Sequence, residues 1–359
     1  MSSLNSDKPV YNAIDAAKFL CAIMIVMIHI APLGENETFH FANFIIKNWG
    51  GRTGVPFFFI TSGYFLYRKT NYENFIWQPT KNYLLKILRL YILWTIIYFP
   101  LCLGWIINNK NGTLHAFLGW VRDFLFTGSY TQLWYLNATI VGGLLCSFLL
   151  YKRIKIKYIL IIAGALYAVG LLAQSWFGVI RPIKDMFPSI WSVLKIVEKV
   201  IVTTRNGVFE AFLFMGIGML FAFKKIKFSK RAAVTGFSLS YLLMLAELII
   251  VSYFNFSRKY DMYVFLVPTS FFMFYIVKNM KLENKKIYPV LRQLSMLIFL
   301  LHLWIEKLVS EFFGYCFDFE IESTCWDFII TLIITIAASL LIIRLSENRR
   351  FQWLKRLYS

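Results

Sequence analysis

The chain has 359 residues, of which 58% are hydrophobic, 19% aromatic and only 16% charged, with a mean hydropathy of +0.60. That balance excludes an ordinary soluble domain, in which about a quarter of the residues are charged. A formal net charge of +19 and a pI near 9.7 would suit a nucleic acid partner if the cations shared one face with interleaved aromatics, but here they fall between apolar runs.

An α-helix needs about 20 apolar residues to cross a hydrocarbon layer of about 30 Å. A polar leader, 1–11, precedes the first such window, 13–31. No small-residue cleavage site follows it, so the window reads as a retained anchor and not a cleavable signal peptide. The next apolar segment, 53–67, is short and follows NWGGRTG, where Gly50 and Gly51 permit a tight bend and re-entry into the membrane. Further windows run over 84–107, 133–151, 158–173, 207–223, 233–254, 262–277, 294–313 and 326–343. A long connection, 174–206, carries PSIWSVLKIVEKVI. It sets Ile190, Val193, Leu194, Val197 and Ile201 on one stripe, with Lys195, Glu198 and Lys199 opposite, which suits a helix lying on the membrane surface or roofing a chamber. The expected fold is all-α and polytopic, one transmembrane domain of about ten helices.

Lysine and arginine mark the cytoplasmic side of short loops. With the N-terminus inside, the cytoplasmic connections hold Arg68, Lys69 and Lys81, then 152–157, 224–231, 278–292 and the basic tail 345–359, while Glu35, Glu37, Asp318, Glu320 and Glu322 fall outside. Both termini are therefore expected in the cytoplasm, with the cations against anionic lipid headgroups of a bacterial cytoplasmic membrane and no nucleic acid bound.

Of five cysteines, Cys21, Cys102 and Cys146 sit in apolar windows as core residues, and Cys316 and Cys325 share an outer loop where they could bridge. No metal-ligand spacing, P-loop, dinucleotide fingerprint or fixed-period repeat is present.

The informative residues are the polar ones inside apolar windows, since an ionisable group costs at least about 2.5 to 3.5 kcal/mol there unless it pairs or faces a cavity. In IDAAKFLCAIMIVMIH, Asp15 and Lys18 are three residues apart and His29 is eleven beyond Lys18. Eleven residues make close to three turns and about 16 Å of helix, so all three project to one side. Either Asp15 and Lys18 form an interfacial pair with His29 at the outer surface, or the stripe lines a cavity.

That first window, with Asp15, Lys18 and His29, and the following GVPFFFITSGYFL at 54–66 resemble the opening blocks of the acyltransferase family 3 membrane proteins. Those proteins begin with an acidic residue three before an arginine, a histidine eleven later, and a helix of the form G-V-x-x-F-F-x-x-S-G. LWYL at 133–136, TTRNGVFEAFLFMGIG at 203–218 and LSMLIFLLH at 294–302 resemble later blocks in order. The family's arginine is Lys18 here, which keeps the charge and loses the planar fork. This variant is similar to a branch that includes the membrane domain of serine racemases found with vancomycin resistance. The sequence ends at Ser359 with no racemase domain, so racemase activity is not expected.

The resemblance implies transfer of an acyl group, commonly acetyl from cytoplasmic acetyl-CoA, to a hydroxyl of an extracytoplasmic envelope carbohydrate or related acceptor, with no permanently bound cofactor and no metal. Imidazole, with a reference pKa of about 6.5, can take and return the hydroxyl proton. His29 is then the general base or the covalent acyl carrier. Lys18 would meet the donor's phosphates, oriented by Asp15, with Lys86 and Arg89 as further donor contacts or as cations reaching for headgroups. Arg205 and Asn206 are candidates for binding the acceptor, for closing the chamber or for anchoring at the membrane interface, and Arg52 for the acceptor or the cavity. Trp134 and Tyr135 serve as a sugar platform or an aromatic belt. Ser295, His302 and Glu306 share one face of the ninth window as cavity residues. The alternative function is uptake of a small polar solute such as L-serine through the same polar interior.

Overall fold

In the computed structural model residues 11–34, 37–110, 112–189, 191–192, 195 and 202–359 are described; their regular secondary structure is helical, with no strand among them. Every one of the ten apolar windows falls on a helix. The helices are α1 (Asn12–His29), α2 (His40–Ile45), α3 (Gly54–Tyr67), α4 (Trp77–Ile107), α5 (Thr113–Phe126), α6 (Trp134–Tyr151) and α7 (Ile156–Leu172). After them come the short α8 (Phe177–Ile180) and α9 (Ile183–Met186), then α10 (Phe212–Phe223), α11 (Lys230–Tyr253), α12 (Leu266–Asn279), α13 (Ile287–Phe317) and α14 (Cys325–Glu347). The leader 1–10, Glu35 and most of the stripe at 190–201 lie outside the described residues.

Ten helices are not ten evident spans. Five, namely α1, α4, α6, α11 and α14, are long and apolar enough to cross a membrane, and a sixth results if α7 and the segment Phe177–Met186, bent by 80°, form one span. The others fall short for different reasons. α3 and α12 have 14 residues each, about 21 Å at 1.5 Å per residue. α13 has 31 residues but carries Arg292, His302, Glu306 and Lys307. α5 was no part of the sequence expectation; it fills the connection between α4 and α6, with Leu114 and Leu118 exposed.

The molecule turns apolar side chains outward and small polar ones inward, the arrangement a lipid surround demands. Ile96, Ile161, Leu242 and Ile333 are exposed, whereas Thr331, Thr335 and Ser339, four residues apart along α14, are fully buried. At the centre α3 packs extensively on α10, and α1 on α13. The first contact depends on two glycines: a side chain on Gly63 would run into the Met215 backbone, and one on Gly218 into that of Ile60. The N-terminal end of α1 is tied down by Asn12, whose amide donates to the Glu283 carbonyl at 2.9 Å, just before α13.

The basic tail folds back as a short helical segment, Arg349–Leu357. Trp94 of α4 donates to the Leu357 carbonyl (2.9 Å), and the Tyr358 and Ser346 hydroxyls are 2.6 Å apart. All five cysteines, Cys316 and Cys325 included, are unbridged.

Candidate functional site

α1 opens into a different cavity at each end. The larger, about 990 Å³, is lined by Lys18, Lys69, Lys86 and Arg292, and also by Tyr135 and Ser295. Four cations and, among the described residues, no Asp or Glu line it. A pocket of this size holds a cofactor-sized ligand, and its charge suits a polyanionic one. Tyr358 of the folded-back tail forms part of its wall. The sequence pairs Asp15 with Lys18, but the carboxylate of Asp15 lies 3.7 Å from Arg292 of the adjoining α13. Lys18 and Asp15 still attract each other across the turn, and the Lys18 ammonium sits 5.5 Å from the centre of the Phe65 ring on the wall of the large cavity.

The smaller cavity, about 30 Å³, lies at the C-terminal end of α1 and is lined by His29, Arg52, Trp134, Arg205, Glu210 and Asp261, with Gln132 and Phe299 completing it. It has room for one or two water molecules. Both arginines flank π-helical turns, Ile46–Gly50 before Arg52 and Gly207–Ala211 after Arg205, irregularities that recur at functional sites because they re-aim side chains. Asn206 caps the second turn, its side-chain oxygen accepting from the Val208 (2.9 Å) and Phe209 (3.1 Å) amides.

Asp261 holds this end together. Its Oδ1 accepts from Arg52 Nη1 at 2.7 Å and Arg205 Nη1 at 3.3 Å. With its amide turned to satisfy both ends, Gln174 donates to Oδ2 (3.2 Å) and accepts from the Arg205 amide (2.9 Å). Burial works against the charged carboxyl, but Arg205 and then Arg52 outweigh it and hold the Asp261 pKa below its ordinary value. The Arg205 guanidinium also lies 4.9 Å from the Trp134 ring centre, a cation–π contact. The loop carrying Asp261 is pinned by buried Glu247 of α11, which accepts from Trp176 Nε1 (2.6 Å), Val264 N (2.8 Å) and Phe265 N (3.0 Å).

Where the two cavities approach each other stand three rings. Phe58 and Tyr135 face the large cavity and Phe299 the small one. Their centres are 5.9 Å (Phe58–Tyr135), 6.3 Å (Phe58–Phe299) and 5.3 Å (Tyr135–Phe299) apart. The rings of His29 and His302 are 5.3 Å apart and tilted by 39°. His302 is fully buried; its Nδ1 is 3.0 Å from the Ile298 carbonyl, and its Nε2 has no partner.

The structure thus divides the residues singled out from the sequence. Lys18, Lys86, Tyr135 and Ser295 border the large cavity; His29, Arg52, Trp134 and Arg205 border the small one. Asn206 serves as a cap, while Arg89 is exposed on α4 and lines neither cavity. Glu306, one turn past His302, also lines neither. Sequence reasoning missed Arg292, Gln132, Glu210, Glu247 and Asp261. Glu210 and Glu247 had a readable signal, a carboxylate inside an apolar window. Asp261, in the loop before α12, had none. A third cavity, about 240 Å³ and largely apolar, lies behind Gln174 and Thr204 and is lined in part by Phe177 and Arg258.

Comparison with known proteins places this architecture. A family described as "Acyltransferase domain" matches residues 11–344. A "Serine/alanine racemase" of Enterococcus gallinarum is 30% identical over 298 residues, 80% of this chain and 40% of the relative. Two proteins named "Amino-acid racemase" from Enterococcus faecalis are 30% identical over 315 residues (85% of this chain, 42% of theirs) and 27% identical over 275 residues (76% and 36%). This chain spans about two-fifths of the length of these relatives. No solved structure matches. Since the family match covers residues 11–344, nearly the whole chain and every helix from α1 to α13, the chain belongs to the acyltransferase family 3 of membrane proteins.

Proposed function

We propose that the chain is an integral membrane O-acyltransferase. It moves an acyl group, acetyl from acetyl-CoA, to a hydroxyl of an extracytoplasmic cell-envelope carbohydrate. The observation that carries this reading is the pair of cavities on α1, a cationic one at Lys18 and one containing an imidazole at His29, divided by Phe58, Tyr135 and Phe299. In this reading both termini are cytoplasmic in the bacterial cytoplasmic membrane and the ten helices at the apolar windows cross it. The large cavity then opens to the cytoplasm, where Lys18, Lys69, Lys86 and Arg292 meet the phosphates of the donor. The pantetheine arm runs toward the three rings, and its thioester passes them to reach His29.

The chemistry balances without a further reagent. His29 takes the proton of the acceptor hydroxyl as the C–O bond forms, the C–S bond breaks, and the proton leaves on the thiolate as free CoA thiol. Arg205 and Arg52 stand beside the ring, where positive charge stabilises the oxyanion that develops at the carbonyl. Purified protein in vesicles tests this: with acetyl-CoA and envelope glycan it releases free thiol, and His29→Ala abolishes release.

A second reading is uptake of a small polar solute such as L-serine. It is favoured by the relative named "Serine/alanine racemase". Uptake of labelled serine that survives His29→Ala, with no thiol release, would select it.

A further inference from the structure

His302 contributes nothing to the wall of either cavity, yet its ring is the nearest aromatic neighbour of His29, 5.3 Å away. Its two nitrogens are in opposite situations. Nδ1 lies 3.0 Å from the carbonyl of Ile298, one turn back on α13. A carbonyl only accepts, so Nδ1 carries the hydrogen. In the neutral ring Nε2 is then a bare lone pair, and it is fully buried with no donor. A buried acceptor left unpaired costs about 1 to 3 kcal/mol, so such an atom, fully buried beside a second imidazole, calls for an occupant. His29 has no side-chain hydrogen bond among the described residues, and it can supply a ring N–H.

We propose that His302 is a positioning residue for His29. Its Nε2 accepts the N–H on the near side of the His29 ring, directly on closure or through one water. This fixes the hydrogen of His29 on the nitrogen that faces α13 and leaves the other nitrogen as a lone pair turned to the chamber. The backbone carbonyl of Ile298, His302 and His29 form a chain in which each member orients the next, the logic of a base held by a third group. In hydrolytic triads a carboxylate occupies the outer place. Here the carboxylates of the same cavity are otherwise placed: Asp261 is held by Arg52 and Arg205, and Glu210 has one oxygen unpartnered without a bond to His29. The remaining charged neighbours, Arg52, Arg205 and Lys47, are cations and cannot accept. When His29 takes the hydroxyl proton, the bond to His302 strengthens and no proton need pass between the rings.

The inference rests on His29 as the base, so its test has one arm that does not need turnover. His302→Leu keeps the bulk and removes the lone pair; His302→Gln places an amide oxygen near the former Nε2. With ¹⁵N-labelled histidine, the His29 resonances should shift in His302→Leu and return toward the native values in His302→Gln, whatever the enzyme activity. In thiol release, kcat should fall about a hundredfold or more in His302→Leu with KM for acetyl-CoA little changed, and partly recover in His302→Gln. The double variant with His29→Ala should be no worse than His29→Ala alone. Unmoved His29 resonances in His302→Leu overturn the pairing, as does a loss found in Glu210→Gln and absent from His302→Leu. Native resonance behaviour in a protein without thiol release leaves the pairing standing and removes only the acyl-transfer reading.

Discussion

Lys18 and His29 lie on one face of α1 eleven residues apart, yet they open into different cavities, one of about 990 Å³ and one of about 30 Å³. If the large cavity takes the phosphates of the donor, Lys18 acts on binding and His29 on chemistry. Lys18→Met should raise KM for acetyl-CoA about ten- to a hundredfold, because a hydrogen bond to a charged group contributes about 1.5 to 3 kcal/mol and each 1.4 kcal/mol is about tenfold. It should leave kcat nearly unchanged. Lys18→Arg, which restores the family's usual residue, should keep KM near native. Steady-state thiol release against donor concentration checks both, and an unchanged KM in Lys18→Met removes Lys18 from the donor site.

Phe58 and Tyr135 of the large cavity touch Phe299 of the small one, so in the proposed acyl-transfer reading these rings are the barrier between the two sides. With Cys21, Cys102, Cys146, Cys316 and Cys325 replaced, a Gln132→Cys reporter in the small cavity should react slowly with a membrane-impermeant thiol reagent added from the Lys18 side. Adding Phe299→Ala should speed that labelling at least about tenfold, since the ring between the cavities is gone. A Ser62→Cys reporter, on the near side, should label rapidly with or without Phe299. Truncating a buried Phe costs about 3 to 5 kcal/mol, so Phe299→Leu serves as the milder variant, with an intermediate rate expected. Equal labelling of Gln132→Cys in all three backgrounds would show that the rings are no barrier.

How much of this was legible beforehand varies with the range of the interaction. Helix positions were readable because apolar length is a local property: all ten windows fall on helices. The short α3 and α12 show why window counting overstates evident spans, for a buried helix of 14 residues is as apolar as a spanning one. At the site, His29, Lys18, Arg52 and Arg205 stood out as polar residues in or beside apolar runs. The identity of their partners did not. Asp261 is 209 residues from Arg52, and Arg292 belongs to a loop charge cluster that reads as a topology signal. Asp15 lay within one turn of Lys18, so the sequence paired the two; packing of α1 on α13 gave Asp15 another cation.

Asp261 should be the acid-sensitive link of the small cavity. Its folded pKa is below its ordinary value, so the stability it adds is present above the unfolded value of about 3.9 and is lost as pH falls through the lower, folded value. At neutral pH Asp261→Asn leaves two guanidinium groups facing each other and should cost about 3 kcal/mol. The difference in Tm between native protein and Asp261→Asn should shrink as pH falls below about 4. A difference that stays the same down to about pH 2 would show that the Asp261 carboxylate does not hold the cluster.

Gly218 and Gly164 offer a matched pair for the packing of the core. A Cβ on Gly218 would collide with the Ile60 backbone, whereas one on Gly164 of α7 meets nothing within 4 Å. Alanine favours a helix over glycine by about 0.5 to 1 kcal/mol, so Gly164→Ala should leave Tm unchanged or raise it slightly. At Gly218 the same gain is outweighed: backbone cannot rotate away as a side chain can, so α10 must separate from α3, at a cost of about 1 to 3 kcal/mol or more. That separation would also shift Ser62, whose hydroxyl is 2.9 Å from that of Tyr135, and with it one of the three rings between the cavities. Gly218→Ala should therefore lower Tm and raise labelling of the Gln132→Cys reporter together, while Gly164→Ala does neither. A Gly218→Ala protein with native Tm would mean that α3 and α10 are not in backbone contact.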